Sequence, residues 1–331
     1  MGGLNLKLPH RRQFLHLAAG AAALPTLSRI ARAQAYPSRP VRIIVGFPAG
    51  GNADTIARVM GQWLSERLGQ PFVVENRTGA ATNIAAEAVA RSPPDGYTLL
   101  FVTSANATNA TLYEKLSFNF MRDIAPVAAT TRSPLVLEVH PAFSPNTLTE
   151  FISYAKANPG KISLASFGTA TVSHLAGELF KTMAGINLLH VPYRGSAPML
   201  SDLLGGQVQA SFDSVATSIE FIKLGKLRPL AITSTTRSDK LPEVPALHEF
   251  LPGFEASAWS GVGAPKNTPT DIIRKLNREI NAALADPQIK SRIEDLGSSV
   301  VPASPTEFGK FIADETEKWA NVIKSAGIKP E

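Results

Sequence analysis

Residues 41–69 read VRIIVGFPAGGNADTIARVMGQWLSERLG. An apolar run from Val41 to Phe47 is followed by a small-residue turn, Pro48-Ala49-Gly50-Gly51-Asn52. Ile56, Val59, Met60, Trp63, Leu64 and Leu68 then recur at helical spacing until Gly69 stops the run. A continuous apolar strand feeding a tight loop and a helix is the opening unit of a parallel sheet covered on both faces. The unit repeats downstream. Strand Phe72–Glu75 leads through loop Asn76–Gly79 into a small-residue helix ending at Ala90, and the turn Asp95-Gly96 opens strand Tyr97–Thr103.

The same rhythm returns in a second block. It predicts strands over Leu135–Val139, Ile162–Ala165, Leu188–Val191, Val208–Asp213 and Leu227–Thr233, separated by helices. The tail differs. A glycine-bearing strand-like stretch, 256–263, precedes a helix opened by Thr268-Pro269 and a last helix opened by Ser304-Pro305 that buries Phe308, Phe311, Ile312, Trp319 and Ile323. These pieces carry no sheet of their own, so they are expected to complete the first block. The predicted fold is α/β: two lobes, each a doubly wound, mainly parallel sheet with helices on both faces. Residues 36–136 and 256–331 form a discontinuous domain 1, and 137–255 form domain 2. The chain crosses near 134–138 and 255–260, and two crossing strands make a natural hinge.

Composition bounds the chemistry. With 44% hydrophobic and 18% charged residues, the 331-residue chain is globular. It has no cysteine, which excludes disulfides, thiolate metal sites and cysteine nucleophiles. The net charge of +6 is not a nucleic-acid signal. Lys7, Arg11, Arg12, Arg29 and Arg32 lie in residues 1–33, which hold no acid, and the remainder balances 28 basic against 27 acidic residues. Those first 33 residues read as a cleavable export signal: paired Arg11-Arg12 before Gln13-Phe14-Leu15, an alanine-rich apolar run, and Ala31-Arg32-Ala33 as an A-x-A site. The arginine pair resembles a twin-arginine signal. A periplasmic mature protein is expected.

In parallel α/β sheets ligands sit beyond the carboxyl ends of the strands. Four loops there share one chemistry: 47–54, containing Gly50, Gly51 and Asp54; 103–106, containing Thr103 and Ser104; 166–171, containing Ser166, Gly168 and Thr169; and 193–196, containing Tyr193, Arg194 and Gly195. They are glycine-rich or hydroxylic, and three clearly lead into helices. Amides at a helix start favour an anion, while glycines and hydroxyls of this kind also serve simply as turns and caps. Formal charge at these strand ends comes from Arg194 and Asp213. Gly46 to Gly51 fits the outer spacing of a P-loop, but Asn52-Ala53 stand where Lys and Ser or Thr are required, and Pro48 breaks the dinucleotide fingerprint. Ser104, His174 and Asp213 could be written as a triad, yet no G-x-S-x-G elbow is present, and His174 reads as a capping or packing residue. His140, His190 and His248 are dispersed, so neither metal nor cofactor is expected.

Several motifs carry a resemblance. Pro48-Ala49-Gly50-Gly51 with Asp54, Val74-Glu75-Asn76-Arg77, Pro94-Asp95-Gly96-Tyr97-Thr98, His174-Leu175-Ala176-Gly177-Glu178, Val191-Pro192-Tyr193-Arg194-Gly195-Ser196-Ala197-Pro198, Asp202-Leu203-Leu204-Gly205-Gly206-Gln207 and Leu241-Pro242-Glu243-Val244-Pro245 occur in that order. Together they resemble the Bug family, the extracytoplasmic receptors of tripartite tricarboxylate transporters. The resemblance runs from about Tyr36 to Ile328. It implies a two-lobed Venus-flytrap receptor of the periplasmic type II class, without catalysis, that holds a small carboxylate through backbone amides, hydroxyls and water. It implies a monomer that delivers to a permease of one large and one small subunit. Carried over by motif, the contacts are Gly50, Gly51, Thr103, Ser104, Gly168, Thr169, Tyr193, Arg194 and Gly195. Asp213 also falls at a pocket position, where an acid would orient water or accept from a ligand hydroxyl or amine.

Two departures mark the chain. The first loop has Gly51-Asn52-Ala53-Asp54, where many members carry another glycine and a hydroxyl residue. The loop at 166–171 has Phe167 where small residues are common, either as an apolar wall to the site or as part of the core. Two other functions stand beside the transport reading: a ligand sensor docking on a membrane signalling partner, and a secreted hydrolase using Ser104 or Ser196.

Overall fold

The structure is a computed structural model and describes residue 2, residues 36–113 and residues 115–329. The chain divides into residues 1–38 and residues 39–331, and the architecture below is that of the second unit. The export signal read over residues 1–33 lies, apart from Gly2, outside the described residues. Among those described, no helix is long and apolar enough to cross a membrane.

The first sheet is built from β1 (Val41–Val45), β2 (Phe72–Asn76) and β3 (Thr98–Thr103), with β1 central and parallel to both neighbours. Ile43, Ile44 and Val45 are fully buried, which is why the strand shows no polar alternation. Helices α1 (Asn52–Leu68), α2 (Asn83–Ala90) and α3 (Ser104–Leu112) follow the three strands. Gly69 ends α1 in the left-handed region, φ 71°, and its N–H returns to the Ser65 carbonyl. After a short turn of helix, α4 (Phe120–Asp123), comes the 16-residue strand β4 (Ile124–Val139).

The second sheet contains β5 (Ser163–Ser166), β6 (Leu189–Pro192), β7 (Ala210–Ser214) and β8 (Arg228–Ile232). Helix α5 (Leu148–Ala157) precedes β5, and α6 (Val172–Ala184), α7 (Ser196–Leu204) and α8 (Val215–Lys223) follow β5, β6 and β7. β5 is parallel to β6 and β7. The chain returns through β9 (Ser257–Pro265) and ends with α9 (Thr270–Ala285), α10 (Pro287–Asp295), the two-residue β10 (Ser299–Val300) and α11 (Pro305–Ala326).

β4 and β9 join the sheets. Residues 124–134 of β4 pair antiparallel with β9, whereas Leu135–Val139 pair with β7 and β8. β9 also pairs antiparallel with β3. The outer ladders are therefore parallel, and the ladders through the crossing strands are antiparallel. The sequence pattern places the strand only at Leu135–Val139; it begins eleven residues earlier. Pro126 and the polar run Thr130-Thr131-Arg132-Ser133 hide it. Register shifts between Pro126 and Ala128, and again between Ala129 and Thr131, absorb the irregularity.

Each sheet has its own core. Leu137, Phe151, Phe180, Phe212 and Phe254 belong to one cluster, and Ile44, Leu100, Val102, Trp259 and Phe308 to another. The sequence reading assigns the whole tail to the first lobe, yet α11 contributes to both cores. Phe308 and Ile312 pack with the first sheet, while Trp319, Val322 and Ile323 pack with the second. Its start is set by a reciprocal cap: Ser304 N donates to Glu307 Oε2 (2.8 Å) and Glu307 N donates to Ser304 Oγ (3.2 Å), with Pro305 at the first helical position.

Candidate functional site

The loops that leave β1, β3 and β5 open onto one cavity of about 700 Å³. Gly51, Asn52 and Ala53 reach it from the start of α1, Thr103, Ser104 and Ala105 from the start of α3, and Thr169 to Val172 from the start of α6. Neither α1 nor α6 has a side chain capping its N-terminus. Their first-turn amides are donors that the helix itself cannot satisfy. The start of α3 is tied down instead: Asn106 accepts from Thr103 N (2.9 Å) and donates to Thr82 Oγ1 (3.0 Å). Among the described residues, no Asp, Glu, Lys, Arg or His lines the cavity. Its polarity comes from backbone, hydroxyl and amide groups.

The first loop owes its shape to Asp54. This buried carboxylate accepts from Gly50 N (2.9 Å), Arg58 Nε (2.9 Å) and Asn76 Nδ2 (2.9 Å). The Arg58 guanidinium, with help from Gly50 and Asn76, holds its pKa down at about 2. Gly50 sits at φ 83°, a conformation that suits glycine. Asp54 and Gly50 lie outside the cavity lining, and together they fix the turn that delivers Gly51 and Asn52 to it.

The second lobe divides similarly. Thr169 lines the cavity, whereas Ser166 and Gly168 lie behind it. Ser166 Oγ is 2.7 Å from His190 Nε2, and Thr171 Oγ1 donates to the Gly168 carbonyl (2.7 Å). His174 accepts at Nδ1 from Ala170 N (3.0 Å) and stacks on His190 at 3.7 Å between ring centroids. It therefore anchors the loop from the first turn of α6. Phe167 lines the cavity and also packs against two apolar clusters, so wall and core are joined in one residue.

Tyr193, Arg194, Gly195 and Asp213 lie outside the lining. Tyr193 donates to Asp202 Oδ2 (2.7 Å), and burial together with that carboxylate pushes its phenol up to about 12. Asp213 is fully buried and accepts from Ser196 Oγ (2.7 Å) and Thr217 Oγ1 (2.8 Å). Burial raises its pKa against those bonds. Of the triad that could be written from Ser104, His174 and Asp213, His174 accepts from Ala170 N and Asp213 accepts from Ser196 and Thr217.

Sequence reasoning missed part of the site. Thr131 and Ser133 of β4 and Trp259 and Ser260 of β9 line the cavity from the crossing strands. Ser260 Oγ lies 2.7 Å from Thr130 Oγ1 and 2.6 Å from Thr131 Oγ1. Trp319, read as a core residue, is buried and also lines the cavity. The indoles of Trp259 and Trp319 both donate to Glu315 Oε2, each at 2.9 Å. Glu315 is ion-paired with Lys318, which also reaches Glu255 (2.9 Å). A polar run inside a strand, 130–133, is the one signal that could have pointed there.

Comparison with known proteins agrees with this geometry. Residues 56–328 match the family model described as tripartite tricarboxylate transporter family receptor. Protein BugT of Bordetella pertussis is 40% identical over 300 residues, covering 90% of this chain and 92% of the relative. The solved structure of R. palustris Rpa4515 with adipate is 36% identical, with a TM-score of 0.75 over 89% of this chain and 100% of that one. The structure of periplasmic binding protein BugD is also 36% identical, with a TM-score of 0.72 over 89% of this chain and 100% of that one.

Proposed function

Because the chain belongs to the tripartite tricarboxylate transporter receptor family, the Bug family, we propose that it captures a small carboxylate in the cavity between its lobes and presents it to a permease. The family is one of receptors, not enzymes. One observation carries the reading: uncapped starts of α1 and α6, on different lobes, open onto the same cavity beside the start of α3. Such amides stabilise an anion without a cationic side chain. The adipate bound to the relative Rpa4515 supports a carboxylate as that anion.

In this reading Gly51, Thr103, Ser104 and Thr169 touch the ligand. Gly50, Asp54, Ser166 and Gly168 hold the loops in shape. Tyr193, Arg194, Gly195 and the buried Asp213, at the ends of β6 and β7, support the second-lobe side of the site from outside the cavity lining. Lobe 1 comprises residues 36–136 and 256–331 and lobe 2 residues 137–255, hinged where β4 and β9 cross, and ligand favours the closed arrangement. The protein works as a periplasmic monomer, exported by its leader, with a permease of one large and one small subunit. Titration calorimetry against mono-, di- and tricarboxylates, with small-angle scattering alongside, tests this. Saturable heat and a smaller radius of gyration are expected for at least one carboxylate. Absence of both across the panel would refute it.

A further inference from the structure

The cavity has two chemistries. Toward the crossing strands it presents hydroxyls and amides. Elsewhere Leu112, Tyr113, Phe167, Val172, Leu175 and Trp319 line it, and all six belong to a single apolar cluster. They converge from the end of α3, the loop before α6, the first turns of α6 and the middle of α11. Trp319 offers no donor there, because its indole N–H is committed to Glu315. A carboxylate at the amide-lined helix starts is well served. A second carboxylate placed against the apolar wall would lose its water with no cation among the described lining residues to replace it, a costly burial. A ring or another flat apolar body there gains by leaving water.

We propose that the ligand of this chain is a monocarboxylate with an aromatic body, and that Phe167 and Trp319 are specificity-determining residues for it. This rests on the carboxylate reading above and narrows it. A ligand with charge at both ends that lies along the wall formed by these six side chains buries one of them against it.

Titration calorimetry on the wild-type protein in one buffer, with benzoate, phenylacetate, adipate and citrate as probes, is the test. At least one aromatic acid is expected to bind about tenfold or more tighter than adipate and citrate. A smaller ratio, or a preference for either aliphatic acid, overturns the proposal while leaving carboxylate capture standing. If none of the four binds, the carboxylate reading falls and this inference falls with it. Phe167→Arg places a cation at the wall and is expected to shift the preference toward adipate. If that variant does not fold by circular dichroism, Phe167→Ala is expected to weaken the aromatic acid at least about threefold more than it weakens adipate. Equal losses for both acids would remove Phe167 from the specificity assignment.

Discussion

Glu138 offers a quantitative test of the second lobe. It lies on β4, fully buried, and its Oε1 accepts from Ser211 Oγ (3.1 Å) and Ser218 Oγ (2.9 Å). Its Oε2 has no hydrogen-bond partner among the described residues. Burial first, and the nearby charge of Asp213 second, push its pKa up from 4.5 to about 8. Between those two pH values the folded protein binds more protons at this site than the unfolded chain, so stability falls as pH rises. The contribution is fully present below pH 4.5 and is lost on passing through pH 8. At about 1.4 kcal/mol per pKa unit the interval is worth about 5 kcal/mol, of which roughly 4 falls between pH 5 and pH 9. Glu138→Gln removes this titration and keeps the shape. Urea unfolding of both proteins at pH 5, 7 and 9 should show the variant gaining on the wild type by about 4 kcal/mol across the range. Parallel stability curves would refute the reasoning, because they would mean that Glu138 ionises in the fold as readily as in the unfolded chain.

Other outcomes follow from local geometry. Gly51→Val should block the cavity while costing the fold only about 1 kcal/mol, since an added Cβ meets only the Pro48 carbonyl at 3.5 Å; unchanged affinity by calorimetry would remove the first loop from the site. Gly261→Ala should destabilise by about 2–4 kcal/mol in thermal melts, because a Cβ there runs into Phe308 and comes within 2.5 Å of the Ala128 carbonyl oxygen. Glu315→Leu strands two buried indole N–H groups and should cost about 2–4 kcal/mol, with altered tryptophan fluorescence; a wild-type melt and spectrum would show that this bridge is not formed.

The architecture was legible where burial makes a strand continuously apolar, as in Val41–Val45, and where a loop then starts a helix. Glycines and hydroxyls at Gly50-Gly51, Thr103-Ser104 and Gly168-Thr169 mark loops that open onto the cavity, because the same residues that permit close approach also permit tight turns. The first eleven residues of β4 were not legible, since a proline and a polar run interrupt the pattern and tertiary pairing with β9 holds the strand in place. The apolar wall was hidden for a different reason. Leu112, Phe167 and Trp319 lie on separate elements, and only packing of α3, the loop before α6 and α11 brings them together. Asp54 reads alone as a ligand contact in a small-residue loop; its commitment to Arg58 and Asn76 depends on residues 4 and 22 positions away.

Titration of the ¹⁵N-labelled protein with benzoate, and separately with adipate, followed by amide chemical shifts, bears most directly on the grip itself. For at least one acid, the amides of Asn52 and Ala53 and those of Val172 and Ser173 should move together along curves that fit one Kd. Movement confined to one of these helix starts, or none at either with both acids, would contradict the account.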